Sequence, residues 1–254
     1  MNLGLSEHVA LVTGSSQGIG RAIARQLAQE GAYVAVTYRH SKERAEDLVS
    51  EIQLQNGTAI ALQFDLASLE SITAITNAVL AKWGRIDILV NNAIQWSRKP
   101  ISQSPAFENF PPEEWQSLLR ANIEGTFAML QSVIPSMRKR GWGRIVNVSA
   151  TLAEDGLPGS GWYTAAKASL HGLTRTLSKE LGPSGILVNA VMPGLTATDR
   201  ISLIAPEVRR RVEETLPIRR ILLPEDVALP IVFLCSHANS AITGEIIRVS
   251  GGRA

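Results

Sequence analysis

Tyr163 and Lys167 stand four residues apart in Trp162-Tyr163-Thr164-Ala165-Ala166-Lys167. The segment reads as helix, so both side chains leave the same face. A phenol normally holds its proton to about pH 10, and an ammonium one turn away favours the phenolate and lowers that value. The pair is a candidate proton donor and acceptor for carbonyl or alcohol chemistry. By itself it also fits a packed ring beside a solvated charge, so the surrounding elements decide.

Those elements alternate. His8 to Thr13 is a short β-rich apolar run, ended by Gly14-Ser15-Ser16-Gln17-Gly18-Ile19-Gly20, and a helical pattern follows from Arg21 to Glu30. Further strands are expected at Tyr33–Tyr38, Thr58–Phe64, Asp87–Val90, Arg144–Val148, Ile186–Val191 and Ile242–Val249. Helices are expected over Lys42–Gln55, Ser68–Trp83, Glu113–Arg140, the segment holding Tyr163, Glu207–Thr215 and Glu225–Ser236. Alternation of this kind predicts right-handed βαβ units on a doubly wound parallel sheet, an α/β Rossmann-type fold in a single domain over 1–254. Two long polar segments, 94–112 and 193–223, are expected to be substrate loops.

The first strand–turn–helix carries glycines at 14, 18 and 20. Such a turn lets backbone N–H groups approach a pyrophosphate at a helix N-terminus, which makes Gly14, Ser15, Ser16, Gln17, Gly18, Ile19 and Gly20 candidate cofactor ligands. The second strand ends in Tyr38-Arg39-His40-Ser41 without an acid. An arginine there suits the 2′-phosphate of NADP(H), with Ser41 as a further donor, although a solvated arginine at a strand end looks the same. Asp65, before Leu66, either accepts from an adenine amino group or starts the next helix. Asn91-Asn92-Ala93 closes the fourth strand beside the expected crevice. Asn122 sits mid-helix, where asparagine is unfavourable unless its side chain has a partner.

Thr13-Gly14-x3-Gly18-x-Gly20, Asn91-Asn92-Ala93, Asn122, Tyr163-x3-Lys167 and Pro193-Gly194 together resemble the short-chain dehydrogenase/reductase family over the whole chain. Within it the sequence looks most like bacterial 3-oxoacyl-carrier-protein reductases and related alcohol and sugar dehydrogenases. The resemblance implies an NADPH-dependent carbonyl reductase, with an NAD(P)-dependent alcohol or sugar dehydrogenase as the alternative. It further implies a homotetramer acting on a small-molecule or acyl-carrier-bound ketone. Tyr163 would be the acid/base, Lys167 would hold the nicotinamide ribose and lower the tyrosine's pKa, and Asn122 would bind a relay water. Pro193, Gly194, Thr196 and Thr198 would meet the nicotinamide carboxamide.

Two positions depart from the family pattern. Ile94 stands where the family has glycine, and Ala150 stands 13 residues before Tyr163, where the family has a hydrogen-bonding serine. Ser149, Thr151, Ser160 or a shifted loop would have to supply that hydroxyl; a weakly catalytic cofactor-binding scaffold or sensor is the reading if none does. Trp96, Trp162, Met192 and Leu195 are expected to line an apolar pocket beside the tyrosine. Arg98-Lys99, Arg209-Arg210-Arg211 and Arg219-Arg220 either attract an acidic carrier or form solvated helix faces.

Composition excludes several other classes. A net charge of +2 over 254 residues offers no field for nucleic acid or a membrane surface. The single cysteine, Cys235, forbids an internal disulfide and fits a reducing compartment. No metal-ligand cluster is read, and no apolar run reaches the length of a signal or membrane segment, so the expectation is a cytoplasmic protein.

Overall fold

The computed structural model describes residues 2–252, whose backbone follows the expected alternation. Seven strands form one parallel sheet: β1 (Val9–Val12), β2 (Tyr33–Tyr38), β3 (Thr58–Gln63), β4 (Ile88–Asn91), β5 (Gly143–Val148), β6 (Ile186–Pro193) and β7 (Ile246–Val249). Their spatial order is β3-β2-β1-β4-β5-β6-β7. The chain therefore winds outward from β1 in one direction, returns, and continues from β4 in the other. The crevice of a doubly wound sheet opens at that reversal, above the carboxyl ends of β1 and β4.

Both faces of the sheet are covered, which is why its strands are continuous apolar runs rather than alternating ones. Along β1 successive side chains take opposite faces. Ala10 and Val12 pack with Ile23 and Leu27 of α1 (Gly18–Gln29), Leu48 and Ile52 of α2 (Lys42–Leu54), and Ile231 of α9 (Pro224–Leu234). Val9 and Leu11 pack on the other side with Ile72, Ile75 and Val79 of α3 (Leu69–Trp83) and Met129, Val133 and Met137 of α5 (Gly125–Arg140). Ser68 caps α3 through its hydroxyl, which accepts from Ser71 N.

Three expectations need correction. The helix expected over Glu113–Arg140 is broken into α4 (Pro112–Leu119), a π turn at Arg120–Glu124, and α5. Side chains take the carbonyls that the wide turn frees: Asn122 Nδ2 donates to Leu118 O at 2.9 Å and Thr126 Oγ1 to Asn122 O at 2.8 Å. Gly125 is required just after it, because a Cβ there would come within 2.1 Å of Leu66 O. The last strand starts at Ile246 rather than Ile242, since Asn239 holds the preceding residues in a turn, its Oδ1 accepting from Ile242 N. The first helix begins at Gly18, inside the glycine turn.

The loop at 94–112 contains two 3-10 turns, Ile101–Gln103 and Phe107–Asn109. The 193–223 segment holds another, Asp199–Leu203, and α8 (Pro206–Thr215). A short α6 (Leu152–Asp155) leads into α7 (Gly161–Leu181), the helix of Tyr163 and Lys167. Among the described residues no helix is long and apolar enough to cross a membrane.

Candidate active site

The glycine turn is built to bring backbone, not side chains, to the crevice. Gly14 has φ +64°, and a Cβ on it would lie 2.9 Å from Ala93 Cα. A Cβ on Gly20 would lie 2.5 Å from Asn92 Nδ2 and from Gly14 O. Ser15, expected among the cofactor ligands, turns its hydroxyl inward instead: Oγ donates to Val12 O at 2.7 Å and accepts from Thr37 N at 2.8 Å. Ile19 likewise packs its side chain on the core. No side chain caps α1 and its first turn carries no acid, so its leading N–H groups are available to an anion. This cradle fits a dinucleotide pyrophosphate held by main chain.

Asn92 ties the turn to β4, a role the sequence reading missed. Its Nδ2 donates to Thr13 O at 2.9 Å and Gly14 O at 3.0 Å, and its backbone N–H donates to Thr13 Oγ1 at 2.9 Å. Asn91, by contrast, points into the sheet, where Nδ2 donates to Asn147 Oδ1 at 2.9 Å, and Asn147 Nδ2 donates to Thr174 Oγ1 at 2.9 Å. Asn91 and Ala93 still line a small cleft with Ile94, Asn122, Thr126, Ala166, Lys167 and Leu170.

Two arginines stand beside the glycine turn, one at the end of β2 and one in α2. Arg39, at the end of β2, pairs with Asp65 at 3.1 Å and donates to Gln95 Oε1 at 3.3 Å. Asp65 Oδ1 accepts from Ala67 N at 3.0 Å, so this carboxylate serves the β3–α3 connection and Arg39. Arg44, in α2, escaped the sequence reading. It donates to Gln17 Oε1 at 2.8 Å and forms an ion pair with Asp199 across the crevice. Tyr38 packs half-buried on the core, His40 is exposed, and Ser41 precedes α2 without capping it. Leu66 is buried under Gly125.

Tyr163 and Lys167 come from one face of α7 and are both buried. Lys167 Nζ donates to Val148 O at 2.6 Å, at the end of β5. Burial pulls its pKa down to about 8. Burial pushes the Tyr163 phenol up to about 12, opposed by the positive charge of Arg200. Burial outweighs charge at the phenol, and Arg200 is the cation that opposes it there. No described residue hydrogen-bonds the Tyr163 hydroxyl. Asn122 is pinned in the π turn, its Oδ1 accepting from Gln95 N at 2.8 Å and its Nδ2 donating to Gln95 O at 2.9 Å. Both side-chain atoms are thus engaged with the 94–112 loop.

Two of the hydroxyls near Ala150 are engaged elsewhere. Ser149 points to α7, bonded to Lys167 O at 3.0 Å and His171 Nε2 at 2.9 Å, and is not part of the Tyr163 surface. The Ser160 hydroxyl donates to Leu157 O at 2.6 Å at the start of α7. Ala150 packs with Leu118, Trp162 and Tyr163, and Ile94, Trp96, Phe110 and Leu152 close the cluster. Trp96 and Trp162 therefore pack against Tyr163 in one cluster. Met192, buried in β6, and half-buried Leu195 do not join this cluster. The buried Trp162 Nε1 has no hydrogen-bond partner.

Beyond β6, Pro193 and Gly194 lie against the end of β7, where Gly194 N donates to Val249 O at 2.8 Å. Thr196 Oγ1 donates to Gly194 O at 3.0 Å, and a Cβ on Gly18 would lie 3.2 Å from the Thr198 methyl. All these segments lie at the carboxyl ends of strands, around the one crevice.

Residues 14–254 match the family model described as enoyl-(acyl carrier protein) reductase. The chain is 40% identical over 253 residues to a 3-oxoacyl-(acyl-carrier-protein) reductase of Aquifex aeolicus, covering 99% of each. It is 37% identical over 243 residues to the enzyme of the same name from Staphylococcus aureus, covering 96% of each. Among solved structures, a 7α-hydroxysteroid dehydrogenase complexed with NADH and 7-oxo glycochenodeoxycholic acid aligns with a TM-score of 0.92 and 34% identity, over 99% of this chain and 96% of that one. A dehydrogenase/reductase from Sinorhizobium meliloti aligns with a TM-score of 0.89 at 34% identity, over the same shares. With the doubly wound sheet, the main-chain cradle and the Tyr163–Lys167 face at one crevice, the chain belongs to the short-chain dehydrogenase/reductase family and is an NAD(P)-dependent oxidoreductase of the ketoreductase type.

Proposed function

We propose that the protein reduces a ketone with NADPH, Tyr163 giving the proton. The observation that carries this reading is the placement of Tyr163: its buried phenol, without a hydrogen-bond partner among the described residues, shares one face of α7 with Lys167 and packs against Trp96 and Trp162 beside the crevice. The phenol is protonated at physiological pH and so has a proton to give to a ketone oxygen, although burial makes it a weaker acid. Bound nicotinamide supplies the hydride. The chain's own groups do the rest: the glycine turn and the α1 N-terminus hold the pyrophosphate, and Arg39 and Arg44 neutralise a 2′-phosphate. Lys167, on the tyrosine's helix face, binds the ribose hydroxyls. Asn122 fixes the loop that carries Trp96, and the 193–198 segment seats the carboxamide. Trp96, Trp162 and Leu152 exclude water from the reacting carbon.

The curated relatives are named for 3-oxoacyl thioester reduction, which favours a 3-oxoacyl substrate on an acyl carrier, a cytoplasmic location and the homotetramer expected of the family. Turnover of a 3-oxoacyl thioester, a 2-enoyl thioester and a panel of β-ketoesters tests the reading. The ketones should be reduced and the enoyl thioester not. Tyr163→Phe should lose roughly 10²–10⁴ in kcat while still quenching tryptophan fluorescence with NADPH. NADPH binding without turnover of any ketone would instead favour a scaffold or sensor.

A further inference from the structure

Arg200 sits on the 3-10 turn Asp199–Leu203, with its guanidinium carbon 4.0 Å from the centre of the Trp96 ring. Trp96 is itself stacked on Tyr163, ring centres 5.0 Å apart. The neighbouring cations are answered: Arg39 by Asp65, Arg44 by Asp199, Arg220 by Asp226, and Arg248 by Glu154 and Asp155. Arg200 is not. Among the described residues it has neither an ion pair nor a hydrogen bond, although it is half-buried. Its own neighbour Asp199 is turned away to Arg44.

An indole under a guanidinium engages the face of the cation and leaves the N–H edges free. Those edges form the fork that matches a carboxylate or phosphate in two parallel bonds. The side chains packed around Trp96 and Tyr163 are apolar: Ile94, Phe110, Leu118, Leu152 and Trp162. One unanswered cation in an apolar wall selects an oxyanion on an otherwise apolar or small molecule, because any other partner leaves the charge uncompensated.

We propose that Arg200 is a specificity-determining residue of this site, taking a carboxylate or phosphate that the substrate carries near its ketone, so that small anionic ketones are preferred over 3-oxoacyl thioesters, which carry no charge beside the ketone. The inference rests on the reading of Tyr163 as proton donor to a ketone. Arg200 and Tyr163 both pack on the Trp96 ring, the guanidinium carbon 4.0 Å and the phenol ring 5.0 Å from its centre, so the two groups share one neighbourhood.

The test uses matched pairs with NADPH: acetoacetate against ethyl acetoacetate, and dihydroxyacetone phosphate against dihydroxyacetone. Wild type should favour the anionic member of at least one pair by tenfold or more in kcat/KM, and which pair shows it separates carboxylate from phosphate. Arg200→Gln should fall at least tenfold more on that anionic member than on its neutral twin, chiefly through KM, and Arg200→Lys should recover part of the loss. Equal losses on both members would make Arg200 a prop for Trp96 and overturn the proposal, as would an unchanged anion preference. If wild type reduces no ketone, the proposed function fails, but the anion site is still read separately. Quenching of tryptophan fluorescence by acetoacetate, or by dihydroxyacetone phosphate, in NADPH-loaded protein should then weaken tenfold in Arg200→Gln. Equal affinities for both anions in wild type and variant would sink it.

Discussion

Trp96 lies on Tyr163 with the two ring planes 16° apart and their centres 5.0 Å apart, while Trp162 meets both rings edge-on. The reactive phenol is thus gripped by one indole from the 94–112 loop and one from its own helix. A stacked aromatic pair contributes about 0.5–1.5 kcal/mol beyond its buried area. Trp96→Ala is therefore expected to destabilise the fold by at least that amount, read as a fall in Tm. An unchanged Tm would show that the stack contributes nothing to the fold.

Ala150 packs directly in the cluster with Tyr163, and the hydroxyls of Ser149 and Ser160 are engaged elsewhere. Ala150→Ser should place a donor next to the phenol and raise kcat/KM on simple ketones. One oxyanion donor is worth roughly 10²–10³ in rate, so a tenfold gain is a conservative expectation. No gain would mean that another group already holds the ketone oxygen.

Arg39 is paired with Asp65 on the exposed rim of the crevice, where an ion pair adds little to stability. It is free to exchange that partner for a phosphate. Arg39→Ala should weaken NADPH binding about tenfold or more, in line with about 1.5–3 kcal/mol for a hydrogen bond to a charged group, and leave NADH binding unchanged. Titrations with both cofactors decide the matter, and equal losses would remove Arg39 from the 2′-phosphate site.

Lys167 makes stability depend on alkaline pH. Its folded pKa is about 8, against an ordinary 10.5, so between those values the unfolded chain binds more protons and stability rises with pH. The contribution is present in full above about pH 10.5 and is lost as pH falls toward 8. Tyr163, raised from 10 to about 12, works in the opposite direction over its own interval. The difference in Tm between Lys167→Met and wild type should accordingly favour the variant most at pH 7 and shrink by pH 10. A pH-independent difference would mean that the ammonium is not desolvated in the fold.

The order of elements was legible because a parallel sheet buried on both faces leaves unbroken apolar runs, as at Val9–Val12 and Ile186–Val191. The Tyr163–Lys167 face was legible because four residues on a helix fix a direction. What could not be read is what depends on partners far along the chain. Arg44 meets Asp199 across a sequence separation of 155, and nothing local in the helix of Arg44 marks it. Arg200 sits in a loop where charge runs are common, and its lack of a carboxylate is a property of the whole site. Asn91 and Asn92 are adjacent and chemically identical, yet strand geometry sends one into the sheet and the other to the glycine turn. The depth at which Tyr163 and Lys167 are buried, which moves both of their pKa values, cannot be read from a four-residue spacing.

The wide turn at Arg120–Glu124 is, in effect, a phase shift. A π turn is a helix carrying one residue more than its pitch allows, and one residue is about 100° of rotation at 3.6 residues per turn. The faces of α4 and α5 are offset by that angle, which is how Leu118 can look toward Tyr163 while Met129 and Val133 look into the sheet core. The chain length between Pro112 and Gly125 is therefore under a constraint that its composition is not. Removing a single residue there would straighten the helix and swing Leu118 out of the aromatic cluster. The loop held by Asn122 would lose its anchor, and no side chain at the reactive centre would have been touched.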